Sequence, residues 1–332
     1  MSVSVMAKEA RQSASVIANQ LVENRPVCAS LVETLREIKP SMIMIIARGS
    51  SDHAGVFAKY LFEVELGIPV CAAAPSVSGI FNQQLNLSNA LVIVISQSGR
   101  SPDILHQAKV AKQGGAYTVA LVNDATSPLA ETCDSFIPIR AGKEQAVAAT
   151  KSYLASLSAL LQLCAVWSGN EALEASLKAL PGAMEDICEQ PQQLTLEYLS
   201  NVQNCIVLGR AFGYAIAREV ALKLKEVLSI HAESFSSAEF IHGPVTLAEK
   251  PLSIVDLAIP DESEKYHNAM IEDVKRRGAR LVNLNCGDYK LHPRVLPLLL
   301  MQRFYLDIEQ VAVSMGLDPD SPPGLNKVTE TV

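Results

Sequence analysis

The chain has 332 residues, 49% hydrophobic, 5% aromatic and 19% charged, with 17 Gly and 17 Pro; this globular composition excludes collagen-like, low-complexity and disordered classes and leaves room for two domains or one duplicated body. Twenty-eight basic against 35 acidic residues give a net charge of −7, with no run of four Lys/Arg, so the field repels a phosphate backbone and argues against nucleic-acid binding. The seven cysteines stand singly, without a C-x-x-C pair, as in a reduced cytoplasmic protein, and neither an export signal nor an apolar run of the ~18 residues that span a bilayer is present.

In chain order, the first ~35 residues read as a helix. Met42 to Ala47, Ala90 to Ile95, Tyr117 to Val122 and Cys205 to Leu208 are short continuous apolar runs, the pattern of strands covered on both faces. Between them, Ser51 to Leu66 and Pro102 to Gln113 have helical period, the second with Ser101 as N-cap, Pro102 at its first position and Gly114-Gly115 as its stop. Ala146 to Trp167 reads as a long helix, Glu185 to Gln193 as a polar stretch, and Asp318 to Gly324 as a looping tail. Alternating strands and helices predict an α/β fold with a mostly parallel sheet. The unit recurs: pairing Gly49 with Gly209 gives an offset of 160 (209 − 49), and Ile254 to Ile259 and Leu281 to Asn283 follow at about the same distance. Two copies are therefore predicted: an N-terminal segment 1–35, a first unit 36–170, a linker 171–196, a second unit 197–317 and a tail 318–332.

The copies differ where chemistry belongs. In the first, a buried strand runs through Ser96, Gln97, Ser98, Gly99, Arg100 and Ser101 straight into a helix, supplying N–H groups, a helix dipole and hydroxyls that suit a phosphate dianion. Arg48, Gly49, Ser50 and Ser51 offer a second such set at the neighbouring strand end. An ordinary turn with a serine cap remains the alternative for either loop alone; two at adjacent strand ends favour the anion. The second copy has Pro260-Asp-Glu-Ser263 there, which repels one. It carries instead Glu219, Lys223 and Glu226 on one stripe of an otherwise apolar helix. A solvated ion pair is the plain reading of such a stripe; its apolar surroundings point to a cleft, where a carboxylate can act as general base. His242, immediately before Gly243-Pro244, is a proton carrier or a structural histidine. No spacing in the chain matches a zinc site.

Together these stretches resemble the sugar isomerase (SIS) domain family in its tandem form, as in the isomerase half of glucosamine-fructose-6-phosphate aminotransferases and the SIS-type glucosamine-6-phosphate deaminases. The resemblance runs in family order over nearly the whole chain, through Ala47 to Ser51, Ile95 to Gly99, Val147 to Lys151, Ala221 to Glu226, Ile230 to Glu233, Glu239 to Pro244 and Leu325-Asn-Lys327. It implies two flavodoxin-like SIS subdomains, each a five-stranded parallel sheet flanked by helices, and a homodimer whose active sites are completed across the interface. It implies that Ser96, Gln97, Ser98, Ser101 and Ser51 grip a sugar 6-phosphate and that Glu226 moves a proton between C1 and C2. His242 of the neighbouring subunit is expected to assist ring opening, with Lys223, Lys327 and Val147 near the sugar. Arg48 stands where the synthase has cysteine and Ala149 where it has serine, the tail around Lys327 is altered, and from the start Met1-Ser-Val-Ser no glutaminase domain is expected ahead of the isomerase half. The expected function is glucosamine-6-phosphate deaminase, without metal or organic cofactor. Its rivals are a fructosamine-6-phosphate deglycase or other phosphosugar isomerase and, from another class, a phosphosugar-sensing regulator.

Overall fold

Continuous apolar strands need cover on both faces, and the computed structural model, which describes residues 3–325 and 327, supplies it in two separate compact units. One, Ser15–Glu144 with Lys151–Lys178, holds β1 (Met42–Ile46), β2 (Val70–Ala72), β3 (Ala90–Ser96), β4 (Tyr117–Val122) and β5 (Ser135–Pro138). They form one parallel sheet in the order β2-β1-β3-β4-β5. β3 is central and buried at every residue. Met44, Val92, Val94, Ala120 and Val122 pack on Ile104 and Ala108 of the helix Pro102–Gln113 and on Leu129 of the helix Pro128–Thr132. Ile45, one residue on in β1, faces the other way: a Cβ on Gly55, in the helix Gly49–Leu66, would lie 2.7 Å from its Cγ2. That helix buries Ala54, Phe57, Ala58, Leu61 and Phe62, at about 1.5–3 kcal/mol for each fully buried large side chain, and ends at Gly67 with φ +68°. The helices after β1 and β3 thus lie on opposite faces, and the crevice between the two strand ends is the topological switch point where open α/β sheets bind ligands.

The other unit takes in Gln145–Thr150 and Ala179–Lys327 with the described part of the first fourteen residues. Its strands are β6 (Asn204–Gly209), β7 (His231–Ser236), β8 (Ser253–Ala258) and β9 (Arg280–Asn285), all parallel in the order β7-β6-β8-β9. This repeats β2-β1-β3-β4, so the duplication holds. The offset is 161 to 163, by strand starts (231 − 70, 204 − 42, 253 − 90, 280 − 117) and the helix starts after the first strands (212 − 49), within a few residues of the expected 160. By helix starts Gly49 corresponds to Phe212. The two glycines answer different needs: Gly49 has φ +54° and open space around it, whereas Gly209 has no room for a Cβ against the backbone of Gly213.

Three expectations are corrected. The second sheet has four strands among the described residues, where five were implied; beyond β9 the chain turns through Pro293–Val295 into the buried helix Leu296–Ser314. The helix expected from Ala146 starts at Lys151; the backbone ahead of it is engaged elsewhere, with the Ala146 carbonyl, which a helix from that point would need as an acceptor, taken by Lys327 Nζ at 2.7 Å. Glu9 accepts from Gln145 and Ala146 at 2.6 and 3.1 Å, and the Asp320 carbonyl accepts from Val147 at 3.0 Å. Glu144 caps the true start, accepting from Ser152 N–H and Oγ at 3.1 and 2.6 Å. The N-terminal helix is broken at Gln12, into Val5–Arg11 and Ser13–Ile38.

Candidate active site

The sequence-predicted phosphate residues meet at the switch point. Arg48–Ser51 leave β1 and open the helix Gly49–Leu66; Ser96–Ser101 leave β3, β1's neighbour in the sheet, and open the helix Pro102–Gln113. The β3 loop is shaped by its own side chains: Ser96 Oγ accepts from Gly99 N–H at 3.1 Å and Ser98 Oγ from Arg100 N–H at 3.3 Å. The Gln97 carbonyl accepts from Asn123 N–H at 3.3 Å and that of Gly99 from Leu129 N–H at 3.2 Å. Ser101 is the N-cap residue and Pro102 the first helical one, as expected, but the Ser101 side chain makes no capping bond, so the hydroxyl and the helix N-terminus are both available to an anion.

Gly99 is the fixed point of this loop. Its φ is +63°, and a Cβ would stand 2.7 Å from Val122 Cγ2 and press on Ser127. Gly99→Ala is expected to lose about 2–4 kcal/mol in denaturant unfolding, from the left-handed backbone and the overpacking together, and to weaken phosphosugar binding; a variant as stable and as avid as wild type would show that the loop does not depend on this conformation.

At the equivalent end of β8 the second unit carries the expected carboxylates, already engaged. Asp261 accepts from Ser263 N–H and Oγ at 2.8 and 2.6 Å. Glu262 accepts both Arg294 terminal nitrogens, at 2.7 and 2.8 Å, and that pairing holds its pKa down at about 2.

The other predicted residues lie in this second unit. Glu219, Lys223 and Glu226 ride the helix Phe212–Leu228, which packs on β6, β7 and the helix Leu296–Ser314. Lys223 Nζ lies 3.1 Å from Glu219 Oε1 and 2.7 Å from Glu226 Oε2. The Tyr305 hydroxyl, which sequence reasoning did not single out, donates to Glu219 Oε1 at 3.4 Å. The Glu219 and Lys223 side chains are 0% exposed and that of Glu226 is 22% exposed, so only the last reaches outward. Burial works against the Lys223 ammonium, but the two carboxylates outweigh it and hold its pKa above the ordinary lysine value. The helix starts behind Ala211, at φ +46° and ψ −114°, a conformation costly for a residue with a Cβ.

Val147 and Lys327 come together: Lys327 Nζ donates to the Ala146 carbonyl at 2.7 Å, and the Asp320 carbonyl accepts from Val147 N–H at 3.0 Å. Asp320 also caps the first helix, accepting from Val5 and Met6 N–H at 2.9 and 2.7 Å. Asn326, between Leu325 and Lys327 in the tail motif, lies outside the described residues. His242 is exposed in the turn between the helix Ser237–Phe240 and Pro244–Glu249, and no hydrogen bond or ion pair ties it to Lys223 or Glu226 among the described residues. Glu9, Tyr305 and Asp320 act through distant sequence positions with no local motif, so nothing in their neighbourhoods marked them.

Residues 38–166 and 198–287 match the SIS domain family. The chain belongs to the SIS domain family. Its two α/β units, each a parallel sheet flanked by helices, have the architecture of solved SIS proteins. A Silicibacter pomeroyi protein assigned to the phosphosugar isomerases is 34% identical, with TM-score 0.90 over 96% of this chain and 100% of that one. The C-terminal domain of glucosamine-fructose-6-phosphate aminotransferase from Francisella tularensis is 25% identical, with TM-score 0.81 over 96% and 98%. Among curated sequences, the isomerizing glutamine–fructose-6-phosphate aminotransferase of Methanothermobacter thermautotrophicus is 32% identical over 97% of this chain and 56% of its own length. This SIS chain thus spans little more than half of such relatives. No helix among its described residues is long and apolar enough to cross a membrane.

Proposed function

We propose that this SIS protein is a glucosamine-6-phosphate deaminase, converting glucosamine 6-phosphate and water to fructose 6-phosphate and ammonia. The observation that carries the reading is the Glu219–Lys223–Glu226 stripe: a fully enclosed lysine holds Glu226 at 2.7 Å, and Glu226 alone of the three is open to a substrate. The names of the aligned relatives join fructose 6-phosphate, amine transfer and isomerisation, and the loops at the first sheet's switch point offer a phosphate its donors.

In the mechanism, Gly49, Ser50, Ser51, Ser96, Gln97, Ser98 and Ser101 fix the 6-phosphate, with Arg48 beside them. His242, contributed across a homodimer interface, passes the proton that opens the ring. Glu226 removes the C2 proton of the open aldose and O1 is protonated. Returning a proton to C1 leaves a C2 imine. Water adds at C2 and ammonia departs, leaving fructose 6-phosphate. Positioning and acid–base transfer account for every step, so no cofactor is called for. Lys223, enclosed by its two carboxylates, orients Glu226 and does not touch sugar. Lys327 and Val147 border the sugar from the tail and the turn before Lys151. The proposal includes the subdivision into 36–170 and 197–317 and a cytoplasmic setting without a nucleic-acid partner.

The test is release of ammonia and fructose 6-phosphate from glucosamine 6-phosphate by purified, EDTA-treated protein, with galactosamine 6-phosphate and a fructosamine 6-phosphate alongside. Equal yields of both products from the first substrate are expected. Turnover confined to another phosphosugar moves the substrate to a deglycase or isomerase; binding without any turnover makes the protein a phosphosugar sensor.

A further inference from the structure

A cleft of about 270 Å³ opens in the first unit beside the phosphate loop, lined by Arg48, Ser76, Asn82, Asp103, His106 and Gln107 among others. We propose that it is a second anion subsite, anchored by Arg48, that takes a carboxylate on a small polar molecule. The proposal deepens the phosphosugar reading and rests on it. Its starting point is how Arg48 is held. Nε donates to Asp103 Oδ2 at 3.0 Å, and the Asp103 side chain is 8% exposed against 48% for Arg48. A buried carboxylate thus fixes the guanidinium from beneath, while its two terminal nitrogens have no partner among the described residues. A guanidinium oriented at Nε presents the fork that a carboxylate fills with two parallel bonds.

The surroundings favour the same ligand. His106 is exposed on the cleft wall, four residues after Pro102 and hence on nearly the same face of that twelve-residue helix. It adds a ring donor, and the helix N-terminus adds its dipole. The opposite wall, Pro75–Gly79, is pinned in place: Gln107 Nε2 donates to the Pro75 carbonyl at 2.8 Å and to Ser78 Oγ at 2.6 Å, so the cleft is preformed and little ordering is needed on binding. Asp103 sets the charge. Its carboxylate offsets part of the Arg48 field, so beside a phosphate held on the loop the cleft favours one further negative charge over two.

The carboxylate has two sources, a substituent on the nitrogen of the phosphosugar itself or a free carboxylic acid. Calorimetric titration distinguishes them with three probes: 1-amino-1-deoxyfructose 6-phosphate, the same sugar with a carboxymethyl group on its nitrogen, and acetate. Wild type is expected to bind the carboxymethyl sugar roughly tenfold more tightly than the parent amine, the scale of one charge-assisted bidentate contact. In Arg48→Met, and in Ser76→Phe, which fills the cleft from the opposite wall, that preference should fall below about threefold. Saturable acetate binding that is lost in Arg48→Met, with no preference between the sugars, assigns the subsite to free carboxylates. Equal binding of the two sugars together with no acetate binding overturns the proposal. Failure of both phosphosugars to bind overturns the phosphosugar reading, and the acetate titration then decides the subsite alone.

Discussion

Glu226→Gln is expected to lower kcat/KM for glucosamine 6-phosphate by roughly 10²–10⁴-fold, the contribution of a positioned general base, with phosphosugar binding retained. The amide keeps the size of the carboxylate and can still accept from Lys223 Nζ, now 2.7 Å away, so the helix stripe survives while the base is gone. In the proposed mechanism binding falls to other residues, on the loops after β1 and β3, so the loss should fall in kcat. Single-turnover measurement of hydrogen exchange at C2 in deuterated water isolates the step: wild type exchanges and the amide variant does not. Loss of binding in step with loss of turnover would instead make Glu226 part of the sugar-binding surface. Exchange at the wild-type rate would move the base to another residue.

The contrast between the copies was legible because its cause is local. A buried strand running into Ser-Gln-Ser-Gly and then Pro102 states a strand, a turn and a helix start in consecutive residues, and the structure places them so. The stripe of Glu219, Lys223 and Glu226 was legible for the same reason, since helical spacing alone sets their neighbourhood. Its depth was not. Full enclosure of Glu219 and Lys223 depends on Leu296–Ser314, some ninety residues on, whose Tyr305 closes over Glu219. The short strands β2, β5 and β7 escaped notice because three to six residues carry little period, and β7 in particular holds His231, Glu233, Ser234 and Ser236, which β-sheet pairing with β6 overrides. The helix start at Lys151 is not legible because the three alanines from Ala146 to Thr150 favour a helix, yet Lys327, far along the chain, takes the Ala146 carbonyl, and Glu9 and Asp320 hold the N–H groups of Gln145, Ala146 and Val147. Competition of that kind has no local signature.

Lys223→Met is expected to cost about 3–5 kcal/mol in unfolding free energy, the penalty for stripping one partner from a buried ion pair. The methionine fills the volume, so packing is not the cause. Glu219, 3.1 Å from the missing ammonium and 0% exposed, would keep its charge out of water while losing the cation beside it. The sign of the pH dependence follows. In wild type the folded-state pKa of Lys223 is raised above 10.5, so its stabilisation is complete below that value and is lost only as pH rises through the folded pKa. In the variant a buried carboxylate has lost its counter-charge, and protonating it removes that penalty, so the deficit against wild type should narrow as the solution is acidified. Adding Glu219→Gln to Lys223→Met removes the stranded charge and should recover roughly 1–3 kcal/mol, the coupling expected for residues in direct contact. Activity supplies the second readout. With Lys223 gone, Glu226 loses the group that orients it, so kcat should fall in the double variant even where stability has returned, and KM should change little. A double variant that regains both stability and turnover would leave Lys223 a packing element of the helix, and a Lys223→Met protein as stable as wild type would show that the three charges do not act as one buried unit.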